Sequence, residues 1–323
     1  MFHFNSPLLA QTMENTGLMG GAAFSNPQDV VSKPQPWVEQ PIAYDTWAKN
    51  TDVALILDQH LYPALQPLIE TYAKQNQLNV AIREGTCGIA SGMINRKQVD
   101  VGGFCCPPSA QDRLPGLSYH TLGIAALAIY VHPENPIDNL SLKQVRDIYS
   151  GRLTDWSQVE SSSSAAPRPP LPIKQVTRLH CPTRPGHWSL ILKNDQFSPS
   201  ISDVGSIPDM FASVTGYQGA IGYETLWQMM KRHLQGQVKP IRIDGVSPSD
   251  TTAVAQKRFP FYRIYNITSW DLPGVRNQQA AQLVAYLKSH LDQIDPNFNI
   301  IPVSQLRQNG WIFQGDEVIG EPK

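Results

Sequence analysis

The stretch YVHPENPIDNLSLKQVRDIYSGRLTDWSQV, residues 130–159, is the part of the sequence that decides the fold. It begins inside an apolar run, residues 122–131, which predicts a buried strand. Residues 140–151 predict a helix, and Gly151 is suited to the position just after the last helical turn. A buried strand followed by a helix indicates an α/β protein.

The residues on the N-terminal side of this stretch repeat the same alternation. Apolar runs at 52–58, 78–84 and 99–104 predict three strands. A helix is predicted from Pro63 to Lys74, because apolar residues recur there at three- and four-residue spacing. Strands and helices in this order favour a parallel sheet with crossover helices.

The rest of the chain continues this pattern between less regular segments. Residues 173–180 predict a strand, and residues 277–294 predict an amphipathic helix. Residues 160–172 are rich in serine and proline and predict a surface loop. Residues 1–49 show several prolines and no sustained period, so we expect an irregular arm packed over the body.

The composition excludes several classes of protein. Among 323 residues, 26 Lys and Arg face 27 Asp and Glu, so binding by broad neutralisation of nucleic-acid phosphates is not expected. No apolar run approaches the ~20 residues of a membrane-spanning helix. The N-terminal residues MFHFNSPLLAQTMENTG contain no complete signal peptide. Catalytic and nucleotide-binding motifs are absent, and we do not expect an enzyme.

Two short features are suited to an anion. Residues 85–88, Gly-Thr-Cys-Gly, lie between a predicted strand and a helix, where helical N–H groups and the positive end of the helix dipole can hold negative charge. Arg178 closes an apolar strand and offers a planar fork of donors to an oxyanion. Glycine turns and surface arginines are also common without a ligand, so both interpretations stay open on these residues alone.

The cysteines share one position relative to the predicted sheet. Each lies at the carboxyl end of a strand or just beyond it: Cys87, Cys105, Cys106 and Cys181. Ligands bind outside those strand ends in an open parallel sheet. No C-x-x-C pair is present, so the spacing is not that of a zinc finger. Disulfides or buried thiols are one interpretation, and ligand-binding or reactive thiols are the other.

Four segments in series resemble the phosphate-type solute-binding proteins of ABC importers. In residues 130–159 the family pattern is matched at Asn135, Pro136, Ile148, Tyr149, Gly151 and Trp156. The other segments are YQGAIGYETL (217–226), IRIDGVSPS (241–249) and FPFYRIYNIT (259–268). The resemblance extends from about residue 52 to residue 302.

The resemblance implies a two-lobed periplasmic-binding-protein fold of type II, with a mixed sheet and flanking helices in each lobe and a ligand cleft between them. Residues 50–127 and 231–323 would form the first lobe, residues 128–230 the second, and residues 1–49 the arm. It further implies a solute-binding protein rather than an enzyme. Such a protein would act as a monomer with an ABC importer, in the periplasm or outside the cell.

The resemblance also implies four ligand-binding loops. They fall on residues 58–63, 85–88 and 104–107 and on the segment that begins at Arg178. Cysteine or histidine replaces the family's usual polar residues in these loops. The ligand-binding residues that we expect are Gln59, His60, Thr86, Cys87, Gly88, Cys105, Cys106, Arg178 and Thr183.

Three functions are compatible with these loops. The first is capture of a small oxyanion of the phosphate type. The second is the same scaffold rebuilt to bind a soft metal or metalloid ion, because thiolate and imidazole select such ions. The ligands in that case would be Cys87, Cys105, Cys106, His180, Cys181 and His187. The third is a thiol-redox protein that uses the adjacent pair Cys105 and Cys106. No other cofactor is expected.

Overall fold

The computed structural model describes residues 24–160, 169–178, 191–192 and 196–322. The helices are α1 (Gln35–Glu39), α2 (Tyr62–Gln75), α3 (Cys87–Asn95), α4 (Leu142–Tyr149), α5 (Ile207–Thr215), α6 (Leu226–Lys231), α7 (Thr251–Ala255), α8 (Gln278–Ser289) and α9 (Val303–Gln308). The strands are β1 (Val53–Asp58), β2 (Val80–Gly85), β3 (Val101–Phe104), β4 (Leu117–Val131), β5 (Asn139–Leu140), β6 (Lys174–Thr177), β7 (Ser202–Asp203), β8 (Ala220–Thr225), β9 (Lys239–Pro240), β10 (Arg242–Ile243), β11 (Tyr262–Trp270), β12 (Ile301–Pro302), β13 (Ile312–Gln314) and β14 (Glu317–Gly320).

The first lobe is built on three parallel strands. β1 pairs with β2 on one side and with β3 on the other, as the sequence predicts. All six residues of β1 are buried, which is typical of a parallel strand covered by helices on both faces. The helices α2, α3 and α8 supply apolar side chains to the core around these strands.

Two long antiparallel strands connect this lobe to the second. β4 pairs with β11 from Leu117 to Ala126 and then with β8 from Leu127 to Val131. The described strands of the main sheet follow the order β2-β1-β3-β11-β4-β8-β6-β7. Side chains of β4 and of β11 belong to two separate hydrophobic cores. The predicted two-lobed α/β fold is therefore confirmed.

Gly123 on β4 marks a close approach of two chain segments. A Cβ atom at this position would lie 2.2 Å from the carbonyl oxygen of Ile301, which is far inside van der Waals contact. The strand β12 pairs with β4 at this point. Only glycine allows this backbone to come so close.

The second lobe contains the stretch that predicted the fold. Its helix, α4, begins at a capping box between Ser141 and Gln144 and ends just before Gly151, which has a φ of +81°. Trp156 is buried and donates its indole N–H to the carbonyl oxygen of Gly219 at 3.0 Å. Residues 241–264 and 301–318 also contribute side chains to this core, and the domain boundaries given above remain predictions.

The N-terminal arm is fastened to the first lobe by a buried lysine. The sequence predicts an irregular arm, but the described part contains the short helix α1. The ammonium of Lys97 donates to the carbonyl oxygens of Trp37, Val38 and Gln40 at 2.6, 3.0 and 2.8 Å. It therefore satisfies carbonyls at the end of α1 that have no partner within the helix. No helix in the described ranges is long and apolar enough to cross a bilayer.

Candidate functional site

The candidate site lies where the parallel strands of the first lobe end. Asp58 is the last residue of β1, Cys87 is the first residue of α3 after β2, and Cys105 follows β3 directly. Parallel strands in register bring their carboxyl ends to one edge of the sheet, so these three residues meet there. Glu224 on β8 and Arg263 on β11 complete the buried cluster.

His60 bridges two carboxylates that come from different lobes. Its Nδ1 lies 2.8 Å from Asp58 Oδ1, and its Nε2 lies 2.9 Å from Glu224 Oε1. Burial and the nearby Arg263 lower the pKa of His60, but the carboxylates of Glu224 and Asp58 outweigh them and raise it well above its ordinary value. The imidazole is therefore protonated and donates one N–H to each carboxylate.

Arg263 pairs with the same glutamate. Its Nη2 lies 3.2 and 3.3 Å from the two carboxylate oxygens of Glu224, and its Nη1 lies 3.4 Å from the sulfur of Cys105. Burial raises the pKa of Glu224, but the charges of Arg263 and His60 outweigh burial and hold it well below its usual range. Glu224 is thus a buried carboxylate held between two cations.

The thiols of the first lobe form one buried group of reduced cysteines. The sulfurs of Cys87 and Cys105 lie 3.4 Å apart, and Cys87 Sγ lies 3.6 Å from Asp58 Oδ2. Hydrogen bonds with Cys106 and Cys87, together with the charge of Arg263, outweigh burial and hold the pKa of Cys105 well below its ordinary value. No disulfide joins Cys87, Cys105 and Cys106, so these three residues are buried thiols and the disulfide alternative is wrong for them.

Arg178 approaches the cluster from the second lobe. Its backbone N–H donates to the Tyr223 hydroxyl at 3.2 Å, and that hydroxyl lies 2.7 Å from Thr177 Oγ1. When the Gln59 amide is oriented with its oxygen toward the guanidinium, it accepts from Nη2 at 2.5 Å and from Nη1 at 3.1 Å. Burial raises the pKa of Tyr223 to about 12, so the phenol stays neutral. Gln59 and Arg178 form a second link between the lobes.

Most of the residues expected from the sequence lie at this site. Gln59, His60, Cys87, Cys105, Cys106 and Arg178 are gathered around the ends of the strands. Thr86 caps α3, with Oγ1 accepting from the N–H of Ile89 at 3.3 Å, and Gly88 is exposed at the start of that helix. Thr183, His180, Cys181 and His187 lie outside the described residues.

Three charged residues of the cluster were not predicted from the sequence to be part of the ligand site. Asp58 lies in the expected loop 58–63 but is not among the expected ligand-binding residues, and neither are Glu224 and Arg263. Each is the single charged-type residue of its strand, VALILD, AIGYET or YRIYNITSW, whose other residues are apolar or uncharged polar. Charged side chains are almost never fully buried unless they are paired, so this pattern could have identified them.

The cluster contains more positive than negative side-chain charge. His60, Arg178 and Arg263 carry three positive charges, and Asp58 and Glu224 carry at most two negative charges when the thiols are neutral. Burial and the neighbouring Cys105 raise the pKa of Asp58, which increases the positive excess if the carboxyl takes a proton. Charges enclosed in a low-dielectric interior require compensation. The arrangement therefore favours an anion, either the thiolate of Cys105 or a bound ligand.

A two-lobed α/β fold with a buried polar cluster between its lobes is the architecture of periplasmic-binding-protein domains. Residues 58–287 match the model of the PBP superfamily domain, and the chain belongs to this superfamily. This family consists of binding proteins, not enzymes, in agreement with the expectation from the sequence.

Several known proteins are similar to this chain. Phosphate-binding protein PstS 2 of Streptococcus agalactiae is 25% identical over 120 residues, which cover 36% of this chain and 40% of that protein. A putative phosphate ABC transporter substrate-binding protein of Clostridium perfringens, solved with bound phosphate, has a TM-score of 0.63 at 16% identity, over 78% of this chain and 99% of that one. An ABC-type phosphate transport receptor of Vibrio cholerae has a TM-score of 0.56 at 19% identity, over 81% and 99%. The two solved structures support the fold.

Proposed function

We propose that this protein binds a small oxyanion of the phosphate type at the cluster between its lobes. The observation that carries the proposal is the excess of buried cations, His60, Arg178 and Arg263, over the carboxylates Asp58 and Glu224. The names of the similar proteins from Streptococcus agalactiae, Clostridium perfringens and Vibrio cholerae agree with this ligand.

Arg178 is the residue that we assign to the anion. Its two terminal nitrogens both contact the amide oxygen of Gln59, a neutral acceptor. A phosphate oxygen pair matches the guanidinium fork better, because charge-assisted bidentate hydrogen bonds are roughly twice as strong as neutral ones. Ligand binding would therefore displace Gln59 from Arg178. The Thr86 hydroxyl, whose oxygen accepts a backbone N–H, can donate its own hydrogen to the ligand.

The two carboxylates would select for a protonated anion. Asp58 and Glu224 can accept a hydrogen bond from the P–O–H group of phosphate, but they repel a fully deprotonated anion. Sulfate carries no proton at neutral pH and has nothing to donate to them. The site would therefore prefer phosphate to sulfate although the two anions have similar size and shape.

The cellular role belongs to the same proposal. An ABC importer as partner, and a location in the periplasm or outside the cell, follow from the kind of protein that the relatives are named as. The matched segment covers only 40% of the length of the curated relative. The importer and the location are therefore part of this proposal. A monomer is expected, as in the sequence prediction.

Isothermal titration of the full chain with phosphate tests the ligand. We expect phosphate to bind and sulfate to bind at least ~100-fold more weakly, a difference of about 2.8 kcal/mol. Arg178→Ala should weaken phosphate binding at least ~100-fold, because truncating one partner of a buried charge pair costs about 2–5 kcal/mol. Arg242→Ala is the matched control, since Arg242 is half exposed and its guanidinium pairs with the exposed carboxylate of Asp138 at 2.8 Å.

Two results would contradict the proposal. One is the absence of phosphate binding by a folded wild-type protein. The other is an Arg178→Ala variant that binds phosphate as tightly as the Arg242→Ala control. Equal affinity for sulfate and phosphate would contradict the assigned role of the carboxylates.

A further inference from the structure

We propose that Asp58, Cys87 and Cys105 form a zinc-binding site where the parallel strands of the first lobe end. These residues come from the ends of the three parallel strands and are buried, at 0%, 0% and 4% exposure. Their ligand atoms all lie within 4.8 Å of one another. The site is distinct from the set expected from the sequence, because it includes a carboxylate and omits Cys106.

The distances already approach those of a tetrahedral zinc site. With Zn–S bonds of about 2.3 Å and Zn–O bonds of about 2.1 Å, two sulfurs lie about 3.8 Å apart, and a sulfur and an oxygen lie about 3.6 Å apart. The two sulfurs lie 3.4 Å apart, and Cys87 Sγ lies 3.6 Å from Asp58 Oδ2. Zinc would require a sulfur shift of about 0.4 Å, whereas a disulfide of about 2.05 Å would require about 1.4 Å.

Neighbouring groups hold the ligand atoms in place. Asp58 Oδ1 accepts from the ring and the backbone N–H of His60, at 2.8 and 2.9 Å, so Oδ2 is the oxygen turned toward Cys87. The N–H of Cys105 donates to Cys87 Sγ at 3.2 Å, and Arg263 donates to Cys105 Sγ at 3.4 Å. Such outer hydrogen bonds orient metal ligands and support deprotonated thiols.

The charge of the cluster is compatible with a divalent cation. Zn²⁺ would bind two thiolates and a carboxylate: Cys87 releases its proton, and Cys105 releases one only where it is not already a thiolate, so the zinc-bound cluster carries the same charge as the cluster with both thiols neutral. The positive excess described above is kept, and no electron is transferred. Three protein ligands leave the fourth tetrahedral position open to water or to a ligand oxygen. Metal binding thus does not exclude an oxyanion in the same cleft.

The chemistry of the ligands selects zinc among soft ions. Copper(I) prefers sulfur ligands alone, whereas zinc takes sulfur and carboxylate oxygen together. A trivalent metalloid would need a third thiolate, which only Cys106 could supply among the described cysteines. The role of Cys106 therefore separates these two ions.

Metal titration of the reduced, chelator-treated full chain tests the site. We expect one zinc per chain by elemental analysis, and a thiolate-to-metal charge-transfer absorption when cobalt(II) replaces zinc. Cys105→Ser, Cys87→Ser and Asp58→Asn should each weaken zinc binding at least ~100-fold, because each removes a ligand of the ion, which costs more than the about 10–100-fold typical of an outer-shell change. Cys106→Ser is the discriminating variant: its side chain is hydrogen-bonded with Cys105 but is not one of the three ligands, so zinc should bind within a few-fold of wild type, whereas a metalloid that needs a third thiolate would be lost.

Several outcomes would overturn the proposal. One is a folded wild-type chain that binds no zinc or shows no cobalt charge-transfer band. Another is a Cys105→Ser variant that binds zinc as tightly as wild type. A third is a Cys106→Ser variant whose zinc binding is as weak as that of Cys105→Ser. The cobalt spectrum of the wild type decides the question even if a buried variant fails to fold. Arg178→Ala should keep its zinc, so a failure of phosphate binding and a failure of metal binding are distinguishable.

Discussion

Replacing His60 by leucine tests the link between the lobes most directly. The substitution keeps the volume of the side chain but removes the cation between Asp58 and Glu224. Glu224 keeps its ion pair with Arg263 at 3.2 Å. Asp58 loses the imidazole N–H that donates to its Oδ1 oxygen. The variant therefore buries a carboxylate that has lost its cationic partner.

The magnitude follows from that uncompensated charge. Removing one partner of a buried ion pair costs about 3–5 kcal/mol. Because Arg263 still compensates Glu224, we expect the low end, a loss of about 3 kcal/mol in the free energy of unfolding at pH 6.5. That loss corresponds to more than a hundredfold change in the ratio of folded to unfolded protein.

The loss should depend on pH with a maximum near 6.5. The folded-state pKa of His60 is raised, so its contribution is complete below the unfolded value of about 6.5 and falls as pH rises through the folded value, by up to ~1.4 kcal/mol per unit. In the variant, acid neutralises the carboxylates that have lost their cation. The cost of the substitution therefore also shrinks toward pH 4.

Urea unfolding at several pH values, followed by circular dichroism and by tryptophan fluorescence, measures the effect. His120→Leu is the control: its imidazole lies 3.1 Å from the half-exposed carboxylate of Asp316, and burial lowers the pKa of His120. We expect a loss below ~1 kcal/mol there. A cost of His60→Leu no greater than that of the control, or a cost that keeps rising toward pH 9, would contradict a protonated His60 between the two carboxylates.

Three further substitutions test the surrounding structure. Lys97→Met should cost at least about 1.5–3 kcal/mol, since it removes charged hydrogen bonds to carbonyls of residues 37–40, and limited proteolysis should then cleave the arm earlier than in wild type. Gly123→Ala should lower the free energy of unfolding by about 1–3 kcal/mol, because its Cβ would meet the carbonyl of Ile301; an unchanged midpoint in urea would contradict this. Thr86→Ala should cost about 1 kcal/mol through loss of the helix cap, whereas Thr86→Ser should be nearly neutral in the same denaturation assay.

The order of the elements could be predicted from the sequence because hydrophobic period and helix signals are local. The predicted strands at 52–58 and 99–104 correspond to β1 and β3, and the helix at 277–294 corresponds to α8, which ends five residues earlier. The short helix α1 was not predicted. Its carbonyls are satisfied by Lys97, about sixty residues away, and no local pattern contains such a contact.

The site was predictable only where it follows the sheet. Cys87 and Cys105 could be expected at one edge because parallel strands end together. Their partners Glu224 and Arg263 reach this edge through the second lobe and an antiparallel strand, and the sequence gives no register for those pairings. Asp58 and His60 are only two residues apart, so their contact is local in the sequence. The bridge that His60 forms also needs Glu224, which is 164 residues away in the chain.

The continuity of β4 through both cores has a consequence for the energetics of ligand capture. Lobes joined by a slack tether would lose much conformational entropy each time they closed. Here fifteen consecutive strand residues, paired to β11 and β8, hold the two walls in a restricted range of orientations before any ligand arrives. The entropic cost of closure is met during folding, so more of the interaction energy with the ligand can appear as affinity.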